Sequence, residues 1–211
     1  ESGSMGNKDG DSDTRSEEAQ DAAKGFVGGL NGSKDRAGVV SYDTSSTYRL
    51  TATVTANREY ISSDFSATGV NGSIGDIPVD PSGGTRSDLG MVKANNVFAL
   101  QSNESRQKVM VLLTDGANDG CKPADVGDDT TINDGDPSGC AANDDSMDLA
   151  ENAAANGVTV YTVGFGDDDD IDKALLKEVA AITDGEFYQA TDASELDSVF
   201  QDIRLTITET Q

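Results

Sequence analysis

The chain has no histidine and no tryptophan, and among its 211 residues only two are cysteines and four are prolines. Without histidine, no Ser–His–Asp triad, Cys–His pair or imidazole metal site can be built. No paired-carboxylate or lysine motif takes its place, so an enzyme is not expected. Long apolar runs are missing too. None approaches the roughly 20 residues that a helix needs to cross a bilayer, which argues against direct membrane insertion. Positive charge is scarce, with 15 Lys and Arg against 39 Asp and Glu and a net charge of −24. Nucleic acid and anionic lipid surfaces would repel such a chain.

What is present is 35 % hydrophobic content grouped in periodic segments, enough for one core in a chain of this length. The excess of carboxylates is therefore read as a strongly solvated surface. That is the charge pattern of proteins working in high salt, where screening suppresses self-repulsion. Cys121 and Cys140 lie 19 positions apart in a stretch rich in Gly, Asp and Pro, with no His or further Cys to make a zinc site. A disulfide closing that loop could contribute about 3 kcal/mol and would indicate an extracellular location. Two unrelated thiols are the alternative.

Along the chain, Asn7 to Asp13 is a polar loop whose carboxylates lack the glycine and glutamate spacing of a calcium loop. Thr14 and Glu17 make a capping box, and Ala19, Ala22, Ala23, Phe26, Val27 and Leu30 follow at helical spacing up to Asn31-Gly32. Ala37 to Tyr42 reads as a buried strand paired by a hairpin with an edge strand from Tyr48 to Val54. A short helix is expected over Arg58 to Phe65, then a Gly-rich connection from Thr68 to Ser82, then a helix carrying Leu89, Val92, Val97 and Leu100.

Lys108 to Thr114 contains the unbroken run Val109-Met110-Val111-Leu112-Leu113, the signature of a parallel strand covered on both faces. Residues 117–143 form an acidic insertion with both cysteines. A helix over Asp145 to Asn156, a strand over Val158 to Val163 ending in Gly164-Phe165-Gly166, a helix over Ala174 to Ile182, a short strand at Phe187-Tyr188 and a helix opened by Asp192 and Glu195 complete the alternation. Leu205 to Gln211 alternates apolar and polar and reads as an exiting strand or linker after a domain spanning 1–204. The fold class is α/β, a doubly wound and mostly parallel sheet with helices on both faces.

At one end of such a sheet, Ser2 and Ser4, Thr85 and Asp115 would converge. All four are oxygen donors and only one is charged, which suits a hard divalent cation. Each also has a plain reading: the serines and Asp115-Gly116 can shape turns, and Gly84-Thr85 can open a helix.

Taken together, Ser2-Gly3-Ser4-Met5, Gly84-Thr85 and Leu113-Thr114-Asp115-Gly116 resemble the metal-ion-dependent adhesion site of the von Willebrand factor type A domain family. The resemblance runs from Ser2 to about Ile203. It implies a cation, Mg²⁺ first and Mn²⁺ or Ca²⁺ as alternatives, held by the hydroxyls of Ser2, Ser4 and Thr85 and by Asp115 directly or through water. It also implies an open coordination position for a Glu or Asp carboxylate of a partner protein, and a secreted or cell-surface adhesion role. A structural block in an extracellular filament or surface layer is the alternative.

The match departs from the family at its start. The family's first motif places an aspartate two residues before the first serine, at the end of a central first strand, and neither lies in this sequence. Three expectations follow. The chain is a piece of a larger polypeptide, a neighbouring chain donates the strand, or Leu205 to Glu209 fills the vacant position with Glu209 in place of the aspartate.

Overall fold

The computed structural model describes residues 14–43, 45–48, 61–67, 70–79, 84–100, 106–118, 141–167 and 170–209. Helix α1 (Arg15–Gly28) starts at the expected capping box: the Thr14 hydroxyl accepts from the Glu17 N–H while the Glu17 carboxylate accepts from the Thr14 N–H at 2.7 Å. Strands β1 (Val40–Tyr42) and β2 (Ser46–Tyr48) form an antiparallel pair, and Ala37 makes an isolated bridge to Ser62. Next come α2 (Val70–Gly75), α3 (Ser87–Leu100), β3 (Lys108–Thr114), α4 (Ala141–Ala155), β4 (Val158–Phe165), α5 (Lys173–Ile182), β5 (Phe187–Ala190) and α6 (Ala193–Glu209). The three later strands are parallel in the order β3-β4-β5, with Lys108 opposite Val158 and Thr162 opposite Phe187.

Alternation along β4 explains the layering. Val158 and Val160 face α3, α4 and α5, where they pack with Met91, Leu149, Leu175 and Val179. Tyr161, Val163 and Phe165 face the opposite way, onto Ala19 and Ala22 of α1 and Leu196, Phe200 and Ile203 of α6. Helices therefore cover both faces, as the unbroken apolar run of β3 implies. On β3 itself Met110 and Leu112 are buried, whereas Val109, Val111 and Leu113 are only half-buried.

Several expectations are corrected. Residues 61–65 are not helical, because short polar side chains take the backbone donors: Asp64 N–H donates to the Ser62 hydroxyl, and Ser66 N–H to the Asp64 carboxylate. The connection over 68–82 contains helix α2, whose Val70 and Ile74 are buried against Val27. In α3 it is Met91, not Leu100, that enters the core, and Leu100 is exposed. Helix α4 begins at Ala141, inside the stretch read as insertion.

The exiting strand is also overturned over 205–209, since α6 continues through Glu209. Ile207 lies four residues after Ile203 and reaches the same core at 8 % exposure, while Leu205 is 53 % exposed. The Thr206 and Thr208 hydroxyls donate back to the carbonyls of Asp202 and Arg204, one turn earlier in the same helix. Leu205 to Glu209 does not enter a sheet, so the tail-filled reading falls. Ser2, Ser4, Cys121, Cys140 and residues 49–60 lie outside the described residues.

Candidate metal-ion site and relatives

The carboxyl end of β3 is shaped by its own turn. The Thr114 hydroxyl donates to the Gly116 carbonyl at 3.0 Å, and Asp115 follows the strand with 1 % exposure. Thr85, just before α3, is 5 % exposed and lines the same cavity as Asp115. The structure thus brings two of the four expected donors into one buried region.

Asn118, which sequence reasoning missed, ties these two loops together. Its side-chain carbonyl accepts from both the N–H and the hydroxyl of Ser87, at 2.9 and 2.7 Å. This contact fixes the start of α3 against the loop that carries Asp115. The Ser87 hydroxyl is also within 3.3 Å of the Ser146 hydroxyl on α4, and Ala117 N–H donates to the Asp170 carbonyl. The signal was present as a polar residue soon after Asp115-Gly116, but nothing in one sequence pairs it with Ser87.

Arg15 is the second residue missed. At 7 % exposure, its Nη1 stands 4.0 Å from Asp115 Oδ2 and 3.9 Å from Asp170 Oδ2. Those distances give charge attraction but exceed hydrogen-bond length. Its Nε and Nη1 are buried and make no hydrogen bond. Gly166 makes room for it: φ is +132°, and a Cβ there would come within 2.9 Å of Nη1. The Gly-Phe-Gly end of β4 is therefore explained by packing. A Cβ on Gly164 would likewise meet Ile171 at 2.9 Å.

Tyr42 closes the region from β1. Its hydroxyl donates to the Leu113 carbonyl at 2.6 Å, and its ring lies on Gly90 of α3 so closely that a Cβ there would be 2.7 Å from Cδ1. Burial of the hydroxyl pushes the phenol far above its ordinary pKa; the Asp115 and Asp88 carboxylates add to this, and the Thr114 hydroxyl opposes it.

Thr85 and Asp115 are oxygen donors of the kind a hard cation takes, and both line the same cavity. Among the described residues no group of three or more His, Cys, Asp or Glu is placed to hold a metal. A set of three hydroxyls and one carboxylate does not need one.

Comparison with curated protein sequences finds no match. Solved structures are similar in fold. The protein BatB from Bacteroides thetaiotaomicron is 18 % identical at TM-score 0.67, with 99 % of this chain and 95 % of that chain covered. The vWF domain of the type V pili tip protein Mfa5 from Porphyromonas gingivalis is 18 % identical at TM-score 0.63, covering 93 % and 89 %. The pilus adhesin SpaC from Lactobacillus rhamnosus GG is 16 % identical at TM-score 0.64, covering 92 % of this chain and 28 % of that one. The sequence model of the von Willebrand factor type A domain matches residues 1–202. With nearly the whole sequence matched and a parallel sheet covered on both faces, the chain belongs to the von Willebrand factor type A domain family.

Proposed function

We propose that the chain is a divalent-cation-dependent protein-binding module of a secreted or cell-surface protein. Ser2, Ser4 and Thr85 would hold the ion through hydroxyls and Asp115 through its carboxylate, with Mg²⁺ the first candidate and Mn²⁺ or Ca²⁺ the alternatives. A bound ion supplies an electrophilic position for a Glu or Asp side chain of the partner.

The remaining work is done by this chain's own residues. Asp115 contributes the lone negative charge of the donor set, in a buried position where charge interactions are strong. Asn118 holds the Thr85 and Asp115 loops in register through Ser87. Arg15, itself buried, places positive charge 4.0 Å from the Asp115 carboxylate.

The observation that carries this reading is the burial of Thr85 and of Asp115, the latter directly after the carboxyl end of a parallel strand, where α/β proteins bind ligands. Isothermal titration with Mg²⁺, Mn²⁺ and Ca²⁺ tests it. Saturable binding by at least one ion supports the reading, and none by any ion overturns it.

A second reading is a building block of an extracellular filament or surface layer, with the cation stabilising the fold or a joint. Two of the similar structures are pilus proteins, which favours keeping it. Dissociation of assemblies by a chelator, with no soluble ligand captured, distinguishes this role. Cys121 and Cys140 are proposed to form a disulfide. An intact mass 2 Da lower than that of the reduced chain tests that pairing, roughly the two hydrogens lost in forming one bond.

A further inference from the structure

Three Asn-x-Ser triplets stand in the sequence, at Asn31-Gly32-Ser33, Asn71-Gly72-Ser73 and Asn103-Glu104-Ser105, and none has proline in the middle. That triplet is the acceptor pattern for sugar linked to asparagine in exported chains. Only an asparagine whose amide nitrogen can be reached is modified, so the setting of each triplet decides. The third lies outside the described residues, and the structure separates the other two.

Asn31, Gly32 and Ser33 are all exposed, in the turn that follows α1. The Asn31 carbonyl accepts from the N–H groups of Lys34 and Asp35, and the Asn31 N–H donates to Asp35 Oδ2 at 2.7 Å. Ser33 donates its N–H and its hydroxyl to one atom of the Asn31 side chain, at 3.0 and 2.6 Å. A backbone N–H can only donate, so that atom is the amide oxygen, Oδ1. The amide nitrogen, Nδ2, is therefore turned away from Ser33 and enters none of these bonds. Gly32 is closely seated: a Cβ there would stand 2.9 Å from the Ser63 carbonyl oxygen. The turn is thus held on both sides, with Nδ2 left unspent on an exposed residue.

Asn71 has the opposite setting. It lies within α2, its Oδ1 is buried without a hydrogen bond, and Ser73 is buried too. Val70 and Ile74 on either side pack against Val27 of α1. A sugar on Asn71 would have to lift α2 from that core. The second triplet is therefore a control of identical sequence within the same chain.

We propose that Asn31 is a site of N-linked glycosylation, taking sugar from a lipid-linked phosphate or diphosphate donor. The proposal rests on the secreted or cell-surface reading given above, because such transfer acts on exported chains. Nδ2 attacks the anomeric carbon of the donor sugar, forming a C–N bond and losing one proton. The C–O bond to phosphate breaks, and the lipid phosphate leaves with its electron pair. The sugar would not obstruct the candidate cation site. Helix α1 starts beside Asp115 at Arg15, and its 14 residues carry the chain about 20 Å away before Asn31.

The test is glycopeptide mapping of the full chain recovered from its native source, with surface and secreted fractions set beside the cell interior. The peptide holding Asn31 should carry a mass gain of whole sugar residues, with fragment ions that place it on Asn31. The peptide holding Asn71 should be bare. Ser33→Ala, which keeps the asparagine and removes the hydroxyl, should lose the sugar, and Ser33→Thr should retain it. Bare Asn31 in chain from the surface or secreted fraction overturns this inference and leaves the surface reading standing. Sugar that persists in Ser33→Ala, or lies equally on Asn71, also overturns it. Chain found only in the cell interior overturns the surface reading itself, and this inference with it.

Discussion

The Tyr42 hydroxyl donates to the Leu113 carbonyl across the gap between the two ladders, so a side chain serves a backbone group that a neighbouring strand would otherwise serve. Tyr42→Phe should lower stability by about 1 kcal/mol in urea unfolding. Unchanged stability in Tyr42→Phe would show that this hydrogen bond contributes nothing to the fold.

Tyrosine ionisation offers a second check. Tyr188 is pushed up to about 12, by burial first and then by its bond to Glu186, and burial pushes Tyr42 higher still. Both pKa values are raised in the folded state, so the stability these groups contribute is complete below the ordinary value near 10 and is lost as pH rises through the folded values. Ultraviolet titration of the five tyrosines should therefore show at least two ionising late or only on unfolding. In Tyr188→Phe, the alkaline loss of stability between about pH 10 and 12 should weaken. A wild-type titration complete near pH 10 would contradict this.

Much of the fold was legible because periodicity and capping agreed. The Thr14–Glu17 box, the strand at Lys108–Thr114 and the strand that opens at Val158 each appear as read. The tail was misread because Leu205-Thr206-Ile207-Thr208 satisfies a period of two over a few residues. Only Ile203 and Phe200 upstream show that Ile207 belongs to a helical stripe. Helix α2 was hidden by two glycines in Val70–Gly75 and depends on packing against Val27 and Phe65. At the site, Thr85 and Asp115 carried a motif. Arg15 and Asn118 act through residues distant in sequence, and a single sequence cannot pair those.

The helical tail makes a direct prediction. Ile207→Ala should destabilise the protein by about 2 kcal/mol because it empties a core position. Leu205→Ala, on the solvent side, should stay within about 0.5 kcal/mol of wild type. In a strand both would share one face, so equal effects in thermal unfolding would contradict the helix.

Asn118→Ala removes the acceptor for two buried Ser87 donors. Chemical denaturation should show a loss of about 1–3 kcal/mol. Cation affinity should fall by about tenfold to a hundredfold, as for partners that orient metal ligands. Unchanged affinity would show that the contact serves the fold alone.

A net charge of −24 predicts strong dependence on ionic strength. The midpoint of thermal unfolding should rise as KCl is increased, because screening reduces carboxylate repulsion. A midpoint that is flat or falls with KCl would contradict a high-salt surface.

The central claim is cation binding through Asp115, and a Mn²⁺ titration followed by electron paramagnetic resonance tests it most directly. Wild type should bind saturably. Mg²⁺ should displace the Mn²⁺, Thr85→Ala should weaken binding, and Asp115→Asn should abolish it while circular dichroism stays unchanged. Equal Mn²⁺ binding by folded Asp115→Asn and wild type would contradict the account.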